Sequence, residues 1–312
     1  MTVRWGVLGA GWLVTQATAA AIHNAEGATL YATGARDIDR ARATEPVVAY
    51  DSYQAVVEDP DVDAVYICLS NDAHLPWIEA SIAAGKYVLC EKPMVLTAEQ
   101  AAYAFSLADA AGVHLVEATW SRWHPRMRRI VDLATSGALG PVENYLATFT
   151  FQGVTPGNYR LSLQHGGGAL YDVGIYPLHG LVACLPDVED FTVVDVEREM
   201  GGEGVDLTTQ ATLSWSGETR AAIAGSFNLP ASQRLTVRGP AGEARVTDDQ
   251  AFATWRAATS LWVDGHIEEF PQVDAYQIMF EEMSNRISGG DGWLLPARDS
   301  IRVARAVDSL LW

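Results

Sequence analysis

The sequence predicts a two-domain protein: an α/β domain with a doubly wound parallel sheet over residues 1–118, then an α+β domain with a large, open, mainly antiparallel sheet over 119–295. Short apolar runs alternate with helical segments up to residue 118, which is typical of βα units and a parallel sheet. From residue 142 onward several segments alternate apolar and polar residues, which is typical of antiparallel strands with one solvated face. A chain of 312 residues is long enough for two such domains.

The first domain opens with an apolar strand, Val3–Leu8, followed at once by the turn GAGWLV and an alanine-rich helix. This is the arrangement of a Rossmann fold, in which Gly9 permits the tight turn and Gly11 lets the backbone approach a pyrophosphate at the helix N-terminus. Val14 stands where such turns usually have a third small residue. The residues that we expect to contact a dinucleotide here are Gly9, Gly11, Trp12 and Leu13.

The end of the second predicted strand, 28–35, bears on the choice of cofactor. NAD sites usually have an acidic residue at this strand end, whereas an arginine accommodates the 2′-phosphate of NADP. Arg36 follows Ala35 directly, so we favour NADP, and Asp37 one place later keeps NAD possible.

The βα alternation continues through further predicted strands at 47–50, 64–69, 87–90 and 113–118, with helices at 15–23, 75–84 and 98–111. The loop after strand 64–69 contains three polar residues that either line the ligand crevice or form the turn and cap the next helix. We list them as candidate cofactor contacts: Ser70, Asn71 and His74.

The strand at 87–90 ends in Glu91-Lys92-Pro93, at the sheet edge where open α/β sheets bind ligands. Of the 21 basic residues in the chain, only Lys86 and Lys92 are lysines. Lysine is a compact donor whose pKa can be tuned, which arginine cannot offer. Lys92 is therefore a candidate functional residue, with a surface position as the alternative.

The second domain is predicted from a helix and a series of strands. The helix covers 126–136, the strands cover 142–151, 191–199, 207–215, 220–227, 233–238 and 243–247, and an amphipathic helix at 296–312 ends the chain. We expect this last helix to return and pack on the first domain.

Between the first two of these strands, three glycines at 166–168 precede a predicted helix. Its residues Asp172, Tyr176 and His179 are spaced i, i+4 and i+7, which places an acid, a phenol and an imidazole on one face. Apolar residues cover much of the rest of the helix, so solvent exposure is a poor explanation for the polar face.

The glycine turn, the SNDAH loop, Glu91-Lys92-Pro93 and the run GGGALYDVGIYP together resemble the Gfo/Idh/MocA oxidoreductase family over nearly the whole chain. Many members have histidine four residues after the aspartate, where this chain has Tyr176. With the upstream Tyr159-Arg160-Leu161, this is more similar to the branch that contains NADP-dependent D-xylose 1-dehydrogenase, trans-dihydrodiol dehydrogenase and glucose-fructose oxidoreductase. The loop lacks the proline usual before Asn71.

This resemblance implies hydride transfer between a nicotinamide and a carbinol carbon of a sugar or polyol. Tyr176 would exchange the hydroxyl proton, and Lys92 would stabilise the phenolate, because an ordinary tyrosine with a pKa near ~10 is a poor base unless a cation lies close. Glu91 would orient Lys92 or touch the ribose, and the Lys92–Pro93 bond would be cis. The residues implied to bind the sugar are Asp172, His179, Arg160 and Trp120.

Other classes of function are disfavoured. The net charge of −18 argues against nucleic acid, and no His-carboxylate motif indicates a metal. The retained Lys92 and Tyr176 argue against a nucleotide-sensing regulator, and tyrosine in place of histidine argues against a redox-assisted glycoside hydrolase.

No apolar run is long enough for a membrane, and three unpaired cysteines with no signal peptide indicate a cytoplasmic protein. Relatives pair through the antiparallel sheet, so we expect a homodimer or homotetramer.

Overall fold

The first part of the chain forms a six-stranded parallel sheet in the order β3-β2-β1-β4-β5-β6. The computed structural model describes residues 1–311. The strands are β1 (Val3–Leu8), β2 (Ala28–Gly34), β3 (Val48–Tyr50), β4 (Ala64–Ile67), β5 (Tyr87–Glu91) and β6 (Leu115–Ala118). Because β1 pairs with both β2 and β4, the strand order reverses at β1, and ligands of such sheets bind at the carboxyl ends of the strands near this reversal. The predicted doubly wound sheet is confirmed.

The second sheet has eight strands in the order β14-β13-β12-β11-β7-β10-β9-β8. They are β7 (Asn144–Thr150), β8 (Thr192–Met200), β9 (Asp206–Ser214), β10 (Arg220–Ser226), β11 (Leu235–Gly239), β12 (Gly242–Val246), β13 (Thr259–Val263) and β14 (His266–Phe270). Within this sheet, strands β7 and β10 run parallel, whereas the other neighbouring strands in the part of the chain that the structure describes run antiparallel. This confirms the predicted mainly antiparallel sheet.

Strands β13 and β14 lie outside the predicted elements. Asp264 and Gly265 join them, with φ of +44° and +92°, and Val263 pairs directly with His266. Two positive φ angles in a two-residue loop are typical of a type I′ hairpin turn, for which Asp-Gly is a preferred sequence. The signal for this hairpin was therefore present in the sequence.

Along the chain, the α-helices are interspersed with the strands. They are α1 (Ala19–Asn24), α2 (Ile38–Arg42), α3 (Tyr53–Glu58), α4 (Asn71–Ala83), α5 (Ala98–Ala111), α6 (Pro125–Thr135), α7 (Ile175–Cys184), α8 (Ala275–Ile287) and α9 (Ala297–Leu311). One π-helical turn, Val14–Thr18, precedes α1, and another, Leu170–Gly174, precedes α7. Short 3₁₀ turns cover Trp120–Arg122, Tyr159–Leu161 and Leu163–His165. Over residues 1–311, no helix has the length and apolar character that a membrane crossing requires.

The chain divides into two compact units. The first unit comprises 1–95, 99–120 and 274–297, and the second comprises 96–98, 121–273 and, among the described residues, 298–311. In the first unit Phe280 of α8 packs edge-on against Trp5 of β1 and Tyr66 of β4, with ring centroids 5.0 and 5.2 Å apart. Helix α8 is thus the late helix that packs on the parallel sheet.

The last helix, α9, groups with the second unit, and the expected packing of helix 296–312 on the first domain stays a prediction, with residue 312 outside the described residues. Its buried Arg302 donates to the carbonyl oxygens of Val182 and Leu185, at 3.3 and 2.6 Å. These carbonyls belong to the C-terminal end of α7, where backbone oxygens lack partners within the helix. The arginine on the buried face of α9 accounts for this packing.

Candidate active site

The turn after β1 has the backbone that a dinucleotide requires. Gly9 has φ of +104°, and a Cβ there would collide with the carbonyl oxygen of Cys68. A Cβ at Gly11 would meet no atom within 4 Å, so space is open beside the turn. The helix begins directly afterwards, with Trp12 exposed and Leu13 half-buried. Open space at a helix N-terminus fits a pyrophosphate, whose negative charge the helix dipole favours.

The residues after β2 differ in their availability to a ligand. Arg36 is exposed, and its guanidinium has no hydrogen bond or ion pair with residues 1–311. Asp37 is engaged as the N-cap of α2, where its Oδ1 accepts from the Asp39 N–H at 3.0 Å. Arg40, which is not among the predicted site residues, donates from Nη2 to the Ala10 carbonyl oxygen at 2.6 Å. Arg40 therefore connects α2 to the glycine turn, a contact for which the sequence carries no local signal.

At the carboxyl end of β5, Glu91 is buried and bonded on both oxygens. The Tyr66 hydroxyl on β4 donates to its Oε1 at 2.6 Å, and the Lys92 N–H donates to its Oε2 at 3.3 Å. Burial raises the pKa of Glu91 to about 7, although the Tyr66 hydrogen bond and the Lys92 charge act in the opposite direction. Glu91 therefore changes its charge near neutral pH. The Lys92–Pro93 bond is cis, as the resemblance implies.

His74 is fully buried behind this turn. Its Nδ1 lies 2.8 Å from the Pro93 carbonyl oxygen, and its Nε2 lies 3.2 Å from the Leu69 carbonyl oxygen. Burial lowers the pKa of His74, and a neutral imidazole donates from one nitrogen only, so we assign the proton to Nδ1 and its shorter contact. In the structure His74 supports the Lys92–Pro93 turn. Ser70, at the N-cap position of α4, and Asn71, its first residue, are half-buried.

In the second unit the glycine turn before α7 brings an arginine and an aspartate together. The N–H groups of Gly167 and Gly168 donate to the carbonyls of Ser162 and Arg160, at 2.9 Å each. A side chain at Gly167 would collide with the Arg160 main chain. Arg160 Nε then donates to Asp172 Oδ2 at 2.7 Å. Burial lowers the pKa of Arg160, but the Asp172 charge and hydrogen bond, together with Tyr159 and Tyr176, outweigh it and raise the pKa, so Arg160 stays charged.

Tyr176 lies in apolar surroundings one helical turn from this pair. Its ring centroid is 5.5 Å from that of Phe149 on β7 and 5.9 Å from that of Phe252. Tyr176 is 6% exposed, and His179, one turn further along α7, is fully buried. The predicted acid, phenol and imidazole thus lie on one continuous helix, but all three are largely buried.

The other residue predicted to bind the sugar, Trp120, belongs to the first unit, where it is buried with its ring 5.8 Å from that of Tyr276.

The structure also reveals Asp206 of β9, which is missing from the predicted set. Its Oδ2 accepts from the Leu170 N–H at 2.9 Å and from the Thr209 hydroxyl at 2.7 Å. Asp206 therefore fixes the start of the helix that carries Asp172. Only the tertiary fold brings these residues together, so no spacing in the sequence indicates the contact.

Among residues 1–311, no three His, Cys, Asp or Glu side chains are grouped so that they could hold a metal ion. The parallel sheet has a glycine turn at its strand-order reversal, and in the second unit the half-buried Arg160 pairs with the buried Asp172, one helical turn from a phenol. These features are those of an oxidoreductase that uses a nicotinamide dinucleotide.

The chain belongs to the Gfo/Idh/MocA oxidoreductase family. Residues 3–119 match the model of the oxidoreductase family with an NAD-binding Rossmann fold, and residues 126–245 match the GFO/IDH/MocA C-terminal domain. These matches confirm the resemblance, the enzyme class and a nicotinamide dinucleotide cofactor.

Three relatives illustrate the range within the family. D-xylose 1-dehydrogenase (NADP⁺) 2 of Haloferax volcanii is 30% identical over 98% of this chain and 95% of its own. Trans-1,2-dihydrobenzene-1,2-diol dehydrogenase of Mus musculus is 31% identical over 87% of this chain and 80% of its own. The crystal structure of a 3-ketoreductase from Actinomadura kijaniata, with NADP and TDP-benzene, has a TM-score of 0.87 at 27% identity, covering 99% of this chain and 97% of that one. That ketoreductase also has crystal structures with a tyrosine replaced by phenylalanine and with a lysine replaced by alanine.

Proposed function

We propose that this oxidoreductase is an NADP-dependent aldose 1-dehydrogenase that oxidises a sugar resembling D-xylose. The observation that carries the proposal is the Arg160–Asp172 pair, which provides charged hydrogen-bonding groups one helical turn from the Tyr176 phenol. Such groups suit a substrate with several hydroxyls next to the one that reacts. Similarity over nearly the whole chain to a D-xylose 1-dehydrogenase supports this substrate class.

A nicotinamide dinucleotide held by Gly9, Gly11 and Arg36 would supply the acceptor for the hydride of the carbinol carbon. In our proposal Tyr176 takes the hydroxyl proton in the same step, so that a C–H bond and an O–H bond are broken and a carbonyl forms. Lys92 is the cation that favours the phenolate form of Tyr176, since a nearby positive charge stabilises an anion. Phe149 and Phe252 exclude water from the Tyr176 ring and so strengthen such electrostatic effects.

The remaining residues of the proposal bind the sugar or the cofactor. Asp172, Arg160 and His179 hold sugar hydroxyls, and Trp120 shapes the pocket. On the cofactor side, Arg36 pairs with the 2′-phosphate, which gives NADP preference over NAD. The other proposed cofactor contacts are Gly9, Gly11, Trp12, Leu13, Ser70, Asn71, His74, Glu91 and Lys92.

A second candidate is reduction of a ketone on a sugar, or oxidation of a dihydrodiol. The structural similarity to the 3-ketoreductase, over nearly the full length of both chains, favours the first of these. Ketone reduction and dihydrodiol oxidation would use the same proton exchange at Tyr176 in opposite directions. The substrates of the two reactions differ, so turnover distinguishes them.

We also propose that the protein is a homodimer or homotetramer formed through the eight-stranded sheet. Leu146, Val194 and Ile267 are 40%, 51% and 53% exposed on its strands, and apolar side chains on an open sheet favour association. Light scattering of the wild type and of Leu146→Lys tests this. A monomeric wild type would contradict it.

The test of function is the absorbance of reduced nicotinamide with NADP⁺ and then NAD⁺, against aldoses, inositols and dihydrodiols. We expect oxidation of an aldopyranose with NADP⁺, lost in Tyr176→Phe while NADPH binding and the circular dichroism spectrum are retained. Oxidation only of dihydrodiols, or reduction only of keto sugars, would establish the second candidate. Tight NADPH binding with no turnover on any substrate would indicate a nucleotide-sensing regulator.

A further inference from the structure

A buried tyrosine and a buried glutamate lie under the turn that carries Lys92. We propose that Tyr66 is a positioning residue, which acts through Glu91 to hold Lys92 in its working position and makes that position depend on the charge of Glu91. The inference rests on the proposed function of Lys92 and adds Tyr66 to the residues that support it.

The geometry divides the Glu91 carboxylate between two donors. The hydroxyl of the fully buried Tyr66 donates to Oε1 at 2.6 Å, and the backbone N–H of Lys92 donates to Oε2 at 3.3 Å. A carboxylate that accepts from both sides cannot rotate without losing one bond. Tyr66 therefore fixes the oxygen that faces Lys92.

Packing holds the Tyr66 ring independently of its hydroxyl. Phe280 of α8 meets this ring edge-on at 5.2 Å and meets Trp5 at 5.0 Å. Edge-to-face pairs of this kind are stabilising by themselves. Replacing Tyr66 with phenylalanine should therefore leave the ring in place and remove only the donor.

Several ionisable groups face the pair from the surrounding elements. Cys68 follows β4, Cys90 belongs to β5, Lys92 follows β5, and Glu117 of β6 repels the Glu91 charge. Tyr276 of α8 lies close to Tyr66, and His74 of α4 lies near Lys92.

The direction of the pH effect follows from these partners. Burial raises the pKa of Glu91 to about 7, and the Tyr66 hydrogen bond lowers it. Without the hydroxyl the pKa rises, so at neutral pH more of Glu91 is protonated and its hold on Lys92 weakens. The effect disappears at high pH, where Glu91 is ionised in either case.

The two-lysine composition permits a direct test that needs no substrate. Protein labelled with carbon-13 at lysine Cε gives signals from Lys86 and Lys92 only, and Lys86→Met identifies them. We expect the Lys92 signal to show an inflection near pH 7. In Tyr66→Phe this inflection should rise by about one pH unit, because a hydrogen bond to a charged group is lost.

Tyr103→Phe is the matched control, since the half-exposed Tyr103 hydroxyl also donates to a glutamate, Glu79, at 2.9 Å. It should leave the inflection unchanged. Glu91→Gln should abolish the inflection, and it serves as the second variant if Tyr66→Phe does not fold.

Turnover gives the second readout. The acidic limb of the kcat profile should move upward by the same amount in Tyr66→Phe, with up to about a tenfold loss below the midpoint and recovery at high pH. An unchanged Lys92 inflection in Tyr66→Phe overturns the proposal, as does a shifted inflection with an unchanged kcat profile. A shifted inflection in an enzyme that oxidises none of the sugars supports the link from Tyr66 to Lys92 and refutes the sugar dehydrogenase function instead.

Discussion

The two units present their candidate functional residues in opposite ways. In the first unit each group follows the end of a parallel strand: the glycine turn follows β1, Arg36 follows β2, and Glu91 ends β5. In the second unit the Arg160–Asp172 pair comes from a loop and a helix, and the aromatic surroundings of Tyr176 come from β7 and from Phe252, far along the chain.

This difference explains which contacts a short sequence segment can encode. A parallel sheet places all its strand ends at one edge, so residues near those ends are close in space whatever lies between them. A loop-and-helix site depends on packing that local sequence does not specify. We therefore expect substitutions in the first unit to separate cleanly into functional and structural effects.

The two lysines provide the sharpest case of such separation. Lys92→Ala should lower turnover by about a hundredfold or more, because it removes the proposed partner of the proton-exchanging phenol. Lys86 is buried, and its Nζ donates to the carbonyl oxygens of Asp59 and Val62 at 2.7 Å each. Lys86→Met should instead cost about 1–3 kcal/mol of unfolding free energy, since each of these two carbonyls loses a hydrogen-bond donor.

Steady-state kinetics and urea denaturation of both variants measure this contrast. Turnover in Lys86→Met should remain close to wild type at temperatures where the variant is folded. Near-normal turnover in Lys92→Ala would contradict the proposed function of the Glu91-Lys92-Pro93 turn.

The sequence predicted the first unit more completely than the second, for the same reason. Helix α5 occupies the predicted residues 98–111, and β1 occupies the predicted residues 3–8. Both elements can be predicted because the spacing of apolar residues within a segment indicates a buried strand or an amphipathic helix. In the site, the Gly9 conformation follows from local sequence. The contact from Arg40 to the glycine turn does not, because it joins residues that meet only after α2 has packed.

Two elements that the sequence prediction omitted, helix α8 and the β13–β14 hairpin, nevertheless have recognisable sequence signals. Helix α8 begins after Asp274, an N-cap residue, and its Met279 and Met283 are four residues apart on the buried face. The hairpin at Asp264-Gly265 has a preferred turn sequence. No sequence signal indicates that α9 groups with the second unit, because this grouping depends on the contact of Arg302 with the end of α7.

In the second unit, Asp172→Asn tests whether the Arg160–Asp172 pair binds the sugar. The change removes the negative charge that faces Arg160, and we expect the sugar KM to rise about tenfold or more, since hydrogen bonds to charged groups are worth about 1.5–3 kcal/mol. NADPH affinity, measured by fluorescence, should stay within about twofold of wild type. Equal losses of sugar and NADPH binding would indicate a general disturbance of the fold.

In the first unit, Arg36→Ala tests cofactor choice with a residue that makes no internal hydrogen bond or ion pair through its guanidinium within residues 1–311. We expect NADPH affinity to fall about tenfold, because an arginine–phosphate contact is a charge-assisted hydrogen bond. NADH lacks the 2′-phosphate and should bind as before. An identical change for both cofactors would remove the argument for phosphate recognition, and unfolding free energy should not change.

The smallest expected effects on the free energy of unfolding come from two helix N-caps in the parallel-sheet unit. Asp274 accepts from the N–H groups of Tyr276 and Gln277, at 3.0 and 3.2 Å, at the start of the thirteen-residue α8. Asp37 accepts from one N–H at the start of the five-residue α2. Asp274→Ala should lower the free energy of unfolding by about 1 kcal/mol, and Asp37→Ala by about half of that.

Urea denaturation of the cofactor-free protein measures both variants. Helix α8 buries Phe280 against Trp5 and Tyr66, so weakening its first turn acts on the packing of the whole sheet face. Helix α2 buries only Ala41. A larger loss in Asp37→Ala than in Asp274→Ala would mean that the short helix beside the glycine turn, and not α8, limits the stability of this unit.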